Sequence, residues 1–121
     1  MSRSQVAVTG SVRGLELQHW TWFVKMMDRI TFGLVDPVIL TYGHSSKRVD
    51  AFAQRWSSMN WLVQRVFYLD ETIHGTDRER NELIVGEADY LIAFTDGHCP
   101  LTERMLDDAR ESKVKVKVFK L

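Results

Sequence analysis

Three short segments carry residue types suited to holding an anion: Thr9-Gly10-Ser11-Val12-Arg13-Gly14, Gly43-His44-Ser45-Ser46-Lys47-Arg48 and Thr95-Asp96-Gly97-His98-Cys99-Pro100-Leu101-Thr102. In each, a glycine ends an apolar run and small hydroxyl residues lead into a helical pattern. The unpaired N–H groups and partial positive charge of a helix start suit phosphate or carboxylate. Arg13, Lys47 and Arg48 would add full charges. Any one of these segments is also ordinary turn and cap chemistry, whereas three converging on one edge would form a pocket. Sharper chemistry is missing. The run Gly10 to Gly14 is neither G-x-G-x-x-G nor a phosphate loop with Gly-Lys, which argues against a dinucleotide dehydrogenase or a P-loop ATPase. His19, His44, His74 and His98 lack metal-ligand spacing, so neither a metal nor another cofactor is expected. Cys99 is the only cysteine, which excludes an internal disulfide. It stands at a helix start, but no His/Asp arrangement accompanies it to make a nucleophile.

The elements that must position these segments alternate along the chain. Short apolar strands are expected at 5–9, 37–42, 63–69, 90–95 and 114–119. The second and fourth are nearly continuous apolar runs, as in strands covered on both faces of a parallel sheet. The fifth alternates Lys and Val, which suits a protected sheet edge. Helical periods fill 15–31, 47–59, 77–88 and 101–112. The third opens on a capping box, Thr76 and Glu79, and the fourth on Pro100. Strict alternation predicts a doubly wound, five-stranded, mostly parallel α/β sheet, Rossmann-like, in the order 3-2-1-4-5. Residues 1–121 then form a single domain. Ligands in such sheets bind outside the carboxyl ends of the strands where the order reverses, and the three segments belong there. Trp20 and Trp56 fall on core stripes, whereas Leu15, Trp22 and Met26 lie off the main stripe of their helix. They could meet a neighbouring helix or a second copy of the chain in a homo-oligomer.

The 121 residues carry 16 Lys+Arg and 16 Asp+Glu, a formal net charge of zero. That balance, with 45% apolar and 26% charged residues, argues against disorder and against gripping nucleic acid by bulk charge. The zero is uneven: residues 1–60 hold seven cations and four acids, residues 61–121 nine and twelve. No apolar run approaches the ~18 residues of a membrane span. The Met1–Ser4 start has no apolar signal region, so a soluble cytoplasmic protein is expected.

The ordered set Gly10-Ser11-x-Arg13, Tyr42-Gly43-His44-Ser45-Ser46-Lys47-Arg48-Val49-Asp50-x-x-Ala53-x-x-Trp56, Arg78-x-Arg80-Asn81 and Ala88-Asp89-Tyr90-Leu91-Ile92-Ala93-Phe94-Thr95-Asp96-Gly97, with Thr102 beyond, resembles the SLOG superfamily. It is most similar to the small YspA/YpsA-like branch of that group, and the match runs in order over nearly the whole chain. The resemblance implies a Rossmann-like fold that binds nucleotides or nucleotide-derived ligands. Relatives implied include DNA-processing protein A and phosphoribohydrolases. It places Gly10, Ser11, Arg13, Gly43, His44, Ser45, Ser46, Lys47, Asp50, Arg80, Asn81, Thr95, Asp96, Gly97 and Thr102 around the ligand. Two departures stand out. Gly43-His44-Ser45 replaces a Gly-Gly-Ala run, which should narrow the pocket. The hydrolase branch has a glutamate three residues after the threonine, where this chain has Met105; Glu103 follows Thr102 directly.

A nucleotide-related ligand-binding protein, acting as sensor, carrier or sequestering module, is therefore the leading expectation. Asp50 would orient the Lys47 loop, and Arg80 and Asn81 would close one side. The rival is an N-glycosidase, phosphoribohydrolase or deoxyribosyltransferase-like enzyme using Glu103, Asp96 or Glu79 as its carboxylate. A protein- or nucleic-acid-interaction module on the Lys113–Lys120 edge is the third reading.

Overall fold

The computed structural model describes residues 3–121; Met1 and Ser2 of the Met1–Ser4 start lie outside the described residues. Five strands, β1 (Gln5–Gly10), β2 (Val38–Tyr42), β3 (Val63–Phe67), β4 (Tyr90–Thr95) and β5 (Lys115–Lys120), alternate with four helices. The helices are α1 (Trp20–Thr31), α2 (Arg48–Met59), α3 (Asp77–Glu87) and α4 (Pro100–Glu111). Every strand pair is parallel and the order is β3-β2-β1-β4-β5, as the alternation predicts. No helix among the described residues is long and apolar enough to cross a membrane.

Side chains alternate across a strand, so each central strand feeds two cores. Val6, Val8, Ile39, Ile92 and Phe94 meet α1 and α2 on one face. Ala7, Leu40, Leu91 and Ala93 meet α3 and α4 on the other. This double coverage is why β2 and β4 read as unbroken apolar runs. The outer strand β5 has one wet row, with Lys115 and Lys117 exposed between half-buried Val116 and Val118.

The expected helix over 15–31 begins late. A 3-10 turn at Leu17–His19 precedes α1, and the His19 ring accepts the Glu16 N–H at 2.8 Å. Leu15 contributes to the apolar pattern from extended backbone, plugging the core at 5% exposure. The loop after β1 therefore carries nine residues before α1, and no long helix starts at its tip.

Leu15, Trp22 and Met26, the residues expected to face a neighbour, are occupied within the chain. Trp22 packs edge-to-face on Phe94 and Phe119, with centroids 5.6 and 5.7 Å away, and Met26 packs half-buried on the same cluster. Only two helices cover this face of five strands, so α1 must bury more than one narrow stripe. Trp20 meets Phe52 of α2, Phe23 meets Phe94, and Trp22 reaches out to β5. Trp22→Ala should therefore lower stability by ~3 kcal/mol, the lower end of the range for truncating a large aromatic side chain, since Trp22 is half-buried. Urea unfolding measures the loss.

Candidate functional site

At the carboxyl edge of the sheet, Tyr42 ends β2 with its hydroxyl buried where four elements meet. Its one proton goes to Asn81 Oδ1 of α3, so Thr9 of β1 donates to it at 3.1 Å, and Met105 Sδ of α4 lies 3.2 Å away. Burial pushes the Tyr42 phenol far above its ordinary range, against the opposing Thr9 hydrogen bond. The Tyr42 carbonyl accepts from Gln54 Nε2 of α2 at 3.0 Å. Arg80 of α3 lies over the same ring, its guanidinium carbon 4.7 Å from the centroid. Arg80 Nη1 donates to the Gly43 carbonyl at 3.0 Å, and Nη2 pairs with Asp77 at 3.1 Å. Arg80, 8% exposed, and Asn81 thus hold the strand ends from beneath and do not close an open rim. Met105, where the resemblance would put a hydrolase carboxylate, is likewise part of this floor and is buried against Tyr42.

The chain leaves β2 through Gly43, and a Cβ there would collide with the Tyr68 ring. Next, His44 adopts a left-handed φ of 53°, which turns its ring onto Tyr68 at 5.1 Å. His44 therefore leaves the cavity open, where the departure from Gly-Gly-Ala was expected to narrow it. Ser45 Oγ accepts the Lys47 N–H at 3.1 Å and donates to Asp50 Oδ2 in the first turn of α2. Asp50 is 1% exposed, and its Oδ1 has no partner among the described residues. Desolvation pushes its carboxyl up to about 6, although the Ser45 hydrogen bond and the Lys47 and Arg80 charges pull the other way.

The β1 and β4 loops are built by their own hydroxyls. Ser11 Oγ donates to the Arg13 carbonyl at 2.6 Å and accepts the Asp96 N–H at 3.1 Å. Thr95 Oγ1 accepts the Gly97 N–H at 3.0 Å, and Thr102 Oγ1 donates to the Gly10 carbonyl at 3.3 Å. A Cβ on Gly10 would strike the Phe94 carbonyl, so only glycine lets β1 and β4 close at that point.

Two adjoining cavities flank the β1 loop and share Val12 and Arg13. One, about 550 Å³, runs from Leu15, Glu16 and Leu17 to Ser45, Ser46, Lys47 and Arg48 at the start of α2. The other, about 400 Å³, is lined by Ser11, Asp96, His98 and Cys99 besides the shared pair. Arg48 is neutralised by Glu16 at 3.1 Å, whereas Arg13 and Lys47 make no ion pair among the described residues. Burial raises the Cys99 thiol, but the nearby Thr102 side chain and backbone, the Lys47 charge and the Leu101 backbone outweigh it and hold the thiol below its ordinary range. A further cavity of about 480 Å³ lies at the opposite, amino edge, beside Arg3, Asp89 and Lys115. There Asp89 already caps the Gln5 N–H at 2.8 Å.

Of the residues expected around a ligand, Ser11, Arg13, Ser45, Ser46, Lys47 and Asp96 line these cavities. Gly10, Gly43, Thr95, Gly97 and Thr102 shape the loops, and Asp50, Arg80 and Asn81 lie inside the fold. Among the expected carboxylates, Glu103 is exposed on α4 and Glu79 bonds Thr76 and the His74 N–H. Asp96 alone of the three faces the paired cavities beside the β1 loop, where its Oδ1 accepts the His98 N–H at 2.9 Å, whereas Glu79 lines a separate cavity of about 240 Å³ with Ile73 and Leu83. Tyr68 escapes the sequence reading because 63–69 reads as one strand, whereas β3 stops at Phe67 and frees the ring to cover Gly43. No group of three or more metal-ligating side chains occurs among the described residues.

No family model, curated protein or solved structure matches the chain.

The Asp50 carboxyl sets a pH dependence of stability. Its folded value lies above the ordinary one near 3.8, so the folded chain retains a proton that the unfolded chain releases. This contribution is full below about pH 4 and is lost as pH rises through about 6; the displacement corresponds to on the order of 3 kcal/mol. Asp50→Asn keeps an acceptor for Ser45 and should remove that loss. Thermal melts between pH 4 and 8 should show the variant gaining on the wild type as pH rises.

Proposed function

We propose that the carboxyl edge of this sheet binds a phosphorylated, nucleotide-like small molecule as a sensor, carrier or sequestering site, without cleaving its glycosidic bond. The observation that carries the reading is the pair of adjoining cavities meeting at Arg13, with Arg13 and Lys47 both free of ion pairs among the described residues. Their volumes of about 400 and 550 Å³ fall within the range of small-molecule sites. Arg13, with Lys47 standing 5.2 Å over the Tyr42 ring beside Ser45, Ser46 and the start of α2, favours an anionic group on one side. The second cavity, with Asp96 and His98, offers polar partners for a sugar or base. The ordered resemblance to the SLOG superfamily supports the same ligand class. Against turnover stand the buried Met105 and the outward Glu103.

Titration calorimetry with AMP, ADP and ADP-ribose should give saturable binding of one ligand per chain. Arg13→Ala and Lys47→Ala should each weaken it about tenfold, as expected for losing a charged hydrogen bond. Glu103→Gln should leave binding unchanged. Absence of binding at millimolar ligand overturns the reading, and release of free base that is lost in Asp96→Asn would replace it with a hydrolase.

A further inference from the structure

The amino edge of the sheet presents a cluster of exposed apolar side chains that nothing in the monomer uses. Trp61 is 92% exposed and Phe32 is 89% exposed, with Val35, Met59 and Val63 also open to solvent. Three observations place them at one end. The Trp56 Nε1–H bond to Asp28 at 2.9 Å sets α1 and α2 level, so Phe32 and Trp61 leave their helices at similar height. The Ser4 N–H bonds the Val35 carbonyl at 2.9 Å, tying Val35 to the start of β1. Val63 opens β3 opposite Val38.

Trp61 is the sharpest of these. It follows the C-cap Asn60 of α2, with the Trp61 N–H bonded to the Ser58 carbonyl and the Leu62 N–H to the Ser57 carbonyl. This is the Schellman arrangement, in which the residue after the cap takes a left-handed conformation and is usually glycine. Trp61 has a φ of 57° there. A bulky side chain in that conformation is strained, and the exposed indole recovers nothing by packing within the chain.

We propose that this face is a two-fold interface with a second copy of the chain, with Phe32 and Trp61 of each copy packed against those of the other. Two nearly bare aromatics and their apolar neighbours offer roughly 600 Å² per copy, hence about 1,200 Å² in the pair, the lower bound of specific interfaces. The charges at the rim suit a self-contact. Arg3 pairs with Asp36 at 3.0 Å and Asp28 accepts the Trp56 N–H, so most of the charge beside the apolar side chains is satisfied within each copy and does not oppose a self-contact. The net charge of zero adds no repulsion between copies. The β3 edge beside Val63 leaves backbone groups open on the same side. An interface at this lower bound belongs with weak, concentration-dependent associations rather than obligate dimers.

Sedimentation equilibrium of the full chain between about 1 and about 100 μM tests the proposal, the range expected for a small interface. The mean mass should climb from that of one chain towards twice that value. Trp61→Gly separates association from folding: it should stay monomeric throughout, and at the lowest concentration it should melt no lower than the wild type. Phe32→Ser should also stay monomeric. A wild type that remains monomeric at the highest concentration overturns the proposal, as does a Trp61→Gly chain that still associates or melts lower at the lowest concentration. Wild type that stays monomeric yet cosediments with phosphatidylserine vesicles would assign the face to a membrane instead.

Discussion

The Tyr42 hydroxyl occupies the point where β1, β2, α3 and α4 meet, and the carboxyl edge depends on its being satisfied there. A buried phenol without partners would cost more than its hydrogen bonds return, so Thr9 and Asn81 must lie where they do. Asn81 in turn fixes the first half of α3, and Arg80 beside it caps the carbonyl of Gly43. With that carbonyl held, the chain turns through His44 into the Ser45 and Asp50 contacts and starts α2 at a set angle. The open cavities are therefore bounded by a floor held together by its own hydrogen bonds, in which the buried Asp50 Oδ1 and Arg80 Nε are left without partners, while Arg13 and Lys47 line the cavities above it.

Charge follows the layers of the fold. The helices α3 and α4 carry eight acids against four arginines, whereas α1 and α2 carry four cations against two acids. The zero total is thus the cancellation of two unlike faces. One of the two acids on the basic side, Asp50, is buried, and its carboxyl is raised to about 6. The local surplus of positive charge lies beside the loops at the carboxyl edge, and the total charge gives no sign of it. At the amino edge Arg3 and Asp36 are spent on one another.

Much of this architecture was legible in the residues. Apolar runs of five or six stopped by Gly10, Gly43 and Gly97 mark buried parallel strands, and Thr76 with Glu79 and Pro100 mark two helix starts. Periodicity misled where an apolar residue served the core from outside a helix, as Leu15 does from the extended loop before α1. It misled again at Trp22, since an off-stripe position becomes a core position when one helix spans several strands. Trp61 gave no signal, because its left-handed backbone and bare side chain depend on how α2 closes against Leu62.

By itself, the sequence determined the order of elements, the parallel sheet and the edge where loops converge. Those follow from alternation and periodicity, which are local properties of the chain. Only the tertiary structure decided which polar groups are free. Thr9, Tyr42, Asn81 and Met105 meet across sequence separations of 33 to 63 residues, so no local pattern could show that Arg80 and Asn81 are spent inside while Arg13 and Lys47 face the cavities. Burial and hydrogen-bond partnership are set by packing between distant segments, and that packing separates the residues spent inside the fold from those that line the cavities.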